Sequence, residues 1–263
     1  MMYLSYFYRL IGEMLVIGGV IRKYGGIHRA VWYFINFGTR DSIRFLFYFY
    51  ATIYARVLGK PLVHAIGDSH VKAFKGKKRF VVYHIGAPTA YNLVKRDSLS
   101  DSNRRLFRII DTINHKDIVL LSFGEIDCRI HIYNQHKKCN GEKPISELID
   151  NTVAHYGQVL QALQAMGVNF ILYGVPPATR VRNEYRYEFY ATPEVHAQIN
   201  GMFNGKLKSH CLEHGYPYID VHSKFSDGSG YMLEEYALDE IHLSSKVVDF
   251  VKDAIKEQLG VSI

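Results

Sequence analysis

From residue 61 onward, short apolar runs alternate with longer amphipathic stretches, and this alternation restricts the fold more than any single residue does. Leu62–Gly67, Phe80–Ile85, Ile118–Phe123, Phe170–Val175 and Tyr218–Val221 are too short for stable helices and almost wholly apolar. Such runs suit strands buried on both faces. Between them, 100–114, 145–166, 193–214 and 244–259 read as helices. Pro193 is placed for a helix start, and Gly167 and Gly215 for positions just past helix ends. Strand–helix alternation implies an α/β fold with a parallel sheet of about five strands covered by helices. In such sheets ligands and chemistry collect at the carboxyl ends of the strands.

Residues 1–60 differ from the rest and read as a separate basic, aromatic-rich helical segment ahead of a domain at 61–263. Eight Lys and Arg fall in this segment against Glu13 and Asp41, which accounts for most of the net charge of +7. Its apolar stretches are broken by basic residues and by Gly25–Gly26, short of the roughly 18 residues that a bilayer span needs. Glu13 and the lack of a basic start and a small-residue cleavage site argue against a cleaved leader. Interleaved aromatic and basic residues suit helices in a membrane interface. They equally suit a helical layer packed on the main domain or a sister subunit, and both readings stay open. No nucleic-acid motif is present, so nucleic acid is not an expected partner. The three cysteines, Cys128, Cys139 and Cys211, form no disulfide framework and point to a reducing, cytoplasmic setting, with peripheral membrane contact through 1–60 as its variant.

Two short segments carry nucleophile chemistry. The first apolar run ends in Gly67-Asp68-Ser69-His70, which sets a serine hydroxyl at the sheet's carboxyl edge. A serine hydroxyl needs a neighbouring base to become a nucleophile. Asp239-Glu240-Ile241-His242 precedes the last helix, where one loop supplies both an imidazole base and a carboxylate to orient it. Either segment alone is commonly a turn or a cap; their joint placement, after the first strand and before the last helix, raises both.

Gly67-Asp68-Ser69 resembles block I of the SGNH (GDSL) hydrolase superfamily, and Asp239-x-x-His242 resembles its block V. Gly86, after the second strand, falls where block II places its oxyanion glycine. The resemblance covers residues 61–259. It implies a flavodoxin-like three-layer sandwich and ester hydrolysis or acyl transfer, often on O-acetylated sugars or lipids. It also implies Ser69 as nucleophile, His242 as base, Asp239 as orienter, and the Ser69 and Gly86 N–H groups facing the oxyanion. No cofactor is implied.

Block III departs from the pattern. Gly124-Glu125-Ile126-Asp127-Cys128-Arg129 stands in place of Gly-x-Asn-Asp, so Ile126 occupies the position of the oxyanion asparagine. Losing one such donor typically costs about 2.7–4 kcal/mol of transition-state stabilisation. An ionised Glu125 there would repel an oxyanion. Arg129 and Asn92 are the candidate replacement donors; Arg129 equally suits an ion pair with Glu125 or Asp127. The sequence Gly-Glu-Ile-Asp-Cys-Arg resembles a subset of SGNH-like proteins that includes ones linked to cell-surface polysaccharide synthesis. Gly86, Glu125, Asp127, Arg129 and Asn92 therefore form the expected oxyanion and substrate-binding set.

Two further patterns carry less. Cys128, His131, His136 and Cys139 include enough zinc-ligating atoms for one ion, but their spacing is no common finger pattern, and no metal is expected. Arg180, Arg182 and Arg186 with Tyr185, Tyr187 and Tyr190 follow the fourth strand, on the active-site edge, and suit sugar faces or anionic substituents as well as a solvated helix start. The expected function is serine-dependent hydrolysis or acetyl transfer on an O-acylated saccharide or lipid. The alternatives are a binding protein with weakened catalysis and a membrane-associated component of polysaccharide synthesis.

Overall fold

Five strands lie in one parallel sheet, in the order β2-β1-β3-β4-β5. They are β1 (Val63–Gly67), β2 (Phe80–His84), β3 (Ile118–Ser122), β4 (Phe170–Tyr173) and β5 (Tyr218–Ile219). The helices are α1 (Ser102–Ile110), α2 (Ile132–Lys138), α3 (Ile145–Ala165), α4 (Pro193–His214), α5 (Val221–Phe225) and α6 (Val248–Leu259). This computed structural model describes residues 57, 59–98, 101–182 and 186–263. The expectations for the basic N-terminal segment lie outside them. Lys60–Ile263 form one compact unit. Among the described residues, no helix is long and apolar enough to cross a membrane.

Alternate residues of each strand face opposite sides of a sheet. On one side, Val63, Ala65, Ile118, Leu120, Ile171, Tyr173 and Ile219 join Val248, Val251 and Ile255 of α6 in a buried cluster. On the other side, Ile66, Val119, Leu121 and Leu172 are also buried. Phe123, just past β3, meets Tyr156 of α3 edge-on at 5.8 Å, which fixes that helix over this second face. His64 is a satisfied core histidine, with Nδ1 3.1 Å from the Tyr83 hydroxyl and Nε2 3.3 Å from Asp117 Oδ2.

The punctuation expected of the long helices is present. Thr192 caps α4 by accepting from the Val195 N–H, Pro193 opens the helix, and Gly215 ends it with a φ of 68°. Gly167 follows α3 with a φ of 70°. Other bounds differ from expectation. The final run forms only a two-residue β5, because Asp220 caps α5 immediately afterward by accepting from the Ser223 N–H. A π-helical turn over Asp127–His131 leads directly into α2, a segment for which the sequence pattern indicated no helix.

The strand order places the site. β1 pairs with β2 on one side and with β3 on the other, so successive crossovers leave β1 in opposite directions. A crevice opens at the carboxyl end of such a switch point. Gly67, the last residue of β1, pairs with His84 on one side and Ser122 on the other.

Candidate active site

Gly67 permits the close approach on which the site is built. A Cβ there would lie 2.1 Å from the Ser122 carbonyl oxygen, so β1 and β3 can meet this closely only with glycine. Asp68 then caps the 3₁₀ turn Ser69–Phe74, its Oδ1 accepting the His70 N–H at 2.9 Å. Ser69 is the first residue of that turn and is half-buried.

His242 arrives from the loop before α6. Asp239 Oδ1 accepts the N–H groups of Ile241 at 3.0 Å and His242 at 2.9 Å. This Asx-type turn closes with the Leu238 N–H donating to the His242 carbonyl at 2.8 Å. His242 Nδ1 lies 2.9 Å from each Asp239 oxygen, and its Nε2 lies 2.7 Å from Ser69 Oγ. A carboxylate accepts, so the Nδ1 proton faces Asp239 and the Nε2 lone pair faces the serine hydroxyl. Burial lowers the His242 pKa, and the neighbouring His70 lowers it further against the pull of Asp239. The neutral ring is the form that can take a proton.

Burial alone would raise the Asp239 pKa, but the Ile241 and His242 N–H groups and the His242 ring hold it at about 2. Tyr187 donates its hydroxyl to Asp239 Oδ2 at 2.9 Å, and Arg186 Nη2 lies 3.6 Å from the same oxygen. Both come from the Arg- and Tyr-rich segment after β4. Two other arginines of that segment have different partners: Arg180 pairs with Asp227 at 2.9 Å, and Arg182 donates to the Ala191 carbonyl at 2.5 Å. Tyr185 lies outside the described residues.

Gly86 has a φ of 99°, a conformation that favours glycine. Among the described residues, neither the Ser69 nor the Gly86 N–H meets a hydrogen-bond acceptor. Arg105 of α1 was not singled out in the sequence. Its Nη1 donates to the Ile85 carbonyl at 3.3 Å and would lie 3.7 Å from a Cβ at Gly86. Nothing in its local sequence separates it from Arg104 and Arg108 on the same helix.

The segment 124–129 forms a brace under the site. Glu125 is 4% exposed and takes both Nε and Nη2 of Arg129, at 2.5 and 3.3 Å. Arg129 Nη1 donates to the Glu188 carbonyl at 2.7 Å, which ties the segment after β4 to this helix. Of the two roles open to Arg129, the geometry presents the ion pair, with Glu125. Ile126 is buried. Asp127 accepts the N–H groups of Ala90 at 2.6 Å and Tyr91 at 3.2 Å, so its carboxylate holds the loop after Gly86. Burial pushes the Asp127 pKa up to about 7 against those two bonds. Asn92 and Asp127 line a cleft of about 310 Å³ with Tyr91, His131, Lys138 and Lys143, and none of Ser69, His242 and Asp239 lines it.

Cys128, His131, His136 and Cys139 are not brought together as a ligand group. Cys128 is fully buried, His136 Nδ1 is 2.8 Å from the Lys143 carbonyl, and Cys139 Sγ is 3.4 Å from Gln135 Nε2.

No family model and no curated protein matches the sequence. Solved structures do match the fold. A GDSL-like lipase from Bacteroides thetaiotaomicron superposes with a TM-score of 0.53 at 16% identity, covering 80% of this chain and 95% of its own. A carbohydrate acetylesterase from Sinorhizobium meliloti superposes with a TM-score of 0.50 at 14% identity, covering 76% of this chain and 99% of its own. The fold is therefore that of GDSL-like hydrolases.

Proposed function

We propose that this chain is a serine acyl hydrolase or acyltransferase that acts on an O-acetylated glycan or glycolipid, with Ser69, His242 and Asp239 as its triad. The 2.7 Å contact between Ser69 Oγ and His242 Nε2 carries the reading. Ser69 Oγ attacks the acyl carbonyl while His242 Nε2 takes its proton. The resulting imidazolium is held by Asp239. The tetrahedral intermediate collapses, His242 returns the proton to the departing sugar oxygen, and the acyl group stays on Ser69. Water then resolves the ester in a hydrolase, and a second sugar hydroxyl does so in a transferase; each gives its proton to His242, which passes it to Ser69 Oγ as the acyl–serine bond breaks and the free serine is restored.

The oxyanion develops beside the unengaged Ser69 and Gly86 N–H groups. Without an asparagine at position 126, the site works with one donor fewer, and a rate about 10²–10³-fold below a full set is expected. The glycan assignment draws on the sugar-directed activity of the Sinorhizobium neighbour and on the Arg and Tyr side chains beside the triad.

A second reading, a binding protein of this fold, is favoured by the apolar Ile126. A burst assay with p-nitrophenyl acetate separates the two. Wild type should show a burst that Ser69→Ala and His242→Ala lose, with a fluorophosphonate probe labelling Ser69. Wild type without burst or label would favour the binding protein.

A further inference from the structure

His70 has no part in the triad, yet it is 3% exposed and hydrogen-bonded at both ring nitrogens. Nδ1 lies 2.9 Å from Asp68 Oδ1, and Nε2 lies 2.9 Å from the Ile241 carbonyl oxygen, 171 residues away. A carbonyl oxygen only accepts, so Nε2 must carry a proton. Asp68 Oδ1 also accepts the His70 backbone N–H, so an ionised carboxylate satisfies both contacts and Nδ1 carries a proton as well. A ring with both nitrogens protonated is an imidazolium. It lies 4.7 Å, centroid to centroid, from the ring of His242.

We infer that His70 is a buried cationic strut, a positioning residue that ties the Asp239–His242 loop to the nucleophile turn through Ile241 and sets a positive charge beside His242. The inference rests on the serine chemistry proposed above. Ile241 sits between Asp239 and His242, so a bond to its carbonyl fixes the loop that aims the base. The charge beside His242 favours its neutral form and keeps the base available at lower pH.

The surrounding charges support this assignment. Burial opposes the cation, but Asp68 and, more weakly, Glu125 overcome it and raise the His70 pKa to about 9. Glu125 is itself forked by Arg129, so Asp68, His70, Glu125 and Arg129 form a balanced buried set. On the far side, His242 faces Asp239, whose carboxylate also meets the Tyr187 hydroxyl and Arg186, and Arg186 lies 3.7 Å from Glu240. Asp68, His70 and Glu125 also bring ligand atoms within 4.8 Å of one another. A metal ion there would have to strip a proton from His70 and break the Glu125–Arg129 fork. A proton fits the existing contacts without either change.

The test begins with the wild-type chain labelled with ¹⁵N-histidine. Both ring nitrogens of His70 should remain protonated from about pH 6 to about pH 8. A bare nitrogen on His70 at about pH 7 would overturn the inference, whatever the activity. His70→Gln keeps an amide donor for the Ile241 carbonyl and removes the charge. It should raise the His242 titration midpoint by about one pH unit and move the acid limb of kcat/KM with it. Asp68→Asn with His70→Gln removes the carboxylate left unpaired and guards against loss of fold. An unmoved His242 midpoint in either folded protein would sink the electrostatic role. The His70 protonation and the His242 midpoint are read by NMR, so they survive if wild type fails to turn over ester or label with fluorophosphonate, which would count against the serine chemistry alone.

Discussion

His242 Nε2 stands 2.7 Å from Ser69 Oγ although 173 positions separate the two residues in sequence. Neither end of this contact is free to wander. Ser69 is held by the turn that Asp68 caps after β1, and His242 by the Asx-type turn that Asp239 closes before α6. The contact therefore reports how firmly two short loops are placed by the sheet edge and by α6. Pre-set geometry of this kind is what a proton transfer concerted with attack requires.

Replacing Asp239 with Asn should separate orientation from structure. The amide oxygen can still accept the Ile241 and His242 N–H groups, but its NH₂ would face Nδ1 and favour the wrong tautomer. A fall in kcat of roughly 10³–10⁴-fold is expected, read by p-nitrophenyl acetate turnover, and the melting temperature near neutrality should fall as well, because the ionised carboxylate's contribution is lost. The acid behaviour should differ too. The native Asp239 pKa of about 2 lies below the ordinary value of 3.8. Its contribution to stability is thus present above the ordinary value and lost as pH falls through about 2. Melts at about pH 4 and about pH 2.5 should show a steeper loss in wild type than in Asp239→Asn.

Tyr187→Phe removes the hydroxyl that donates to Asp239 Oδ2 at 2.9 Å. The carboxylate keeps its two backbone donors, so the effect should be modest, a decrease in kcat of roughly tenfold at most. Steady-state kinetics beside the wild-type protein would check it.

Glu125→Gln should destabilise by about 3–5 kcal/mol, because it leaves the Arg129 guanidinium buried without a counter-charge. Denaturant unfolding measures this directly. A combined replacement of Glu125 and Arg129 by apolar residues of similar volume should restore much of the loss. If the double variant is no more stable than the single, the pair is not the source of the effect.

Gly67→Ala should destabilise by about 3 kcal/mol or more, since the new methyl group would overlap the Ser122 carbonyl and force β1 away from β3. Thermal melting would show the shift, and labelling at Ser69 should fall in the fraction that still folds. Gly76→Ala is the contrasting variant: no atom lies within 4 Å of its would-be Cβ, and only the cost of its φ of 74° remains.

Much of the architecture was legible because strand and helix periods are local properties. The apolar runs of β1 and β3 and the punctuation at Pro193, Gly167 and Gly215 depend on neighbours in sequence, and the structure keeps them. The placement of Ser69 after the first strand and of Asp239 and His242 before the last helix was legible for a related reason. A parallel sheet with β–α alternation brings such loops to one edge whatever the helices contain. Two-residue β5 was overestimated, because an Asp cap two residues into an apolar run weighs more than the run itself. The helix that includes α2 was missed, because its inward face is supplied by the π-helical turn and not by regular spacing.

What only the tertiary structure decided are the relationships that need burial or a distant partner. Arg129 could serve as oxyanion donor or as ion-pair partner on sequence alone, and the choice depends on Glu125 being enclosed with it. Asp127 becomes the brace of the Ala90–Tyr91 backbone only when the π-helical turn before α2 and the loop after β2 are set side by side. Tyr187 reaches Asp239 from a segment without regular structure. His70 shows the limit most sharply: its neighbours Asp68 and Ser69 are adjacent in sequence, but its protonation state follows from the Ile241 carbonyl brought from 171 residues away. Sequence determines which groups the chain carries and their local conformational tendencies. Which of them share a dry, low-dielectric space, and hence which charges and protons they hold, is a property of the packed sheet and its loops.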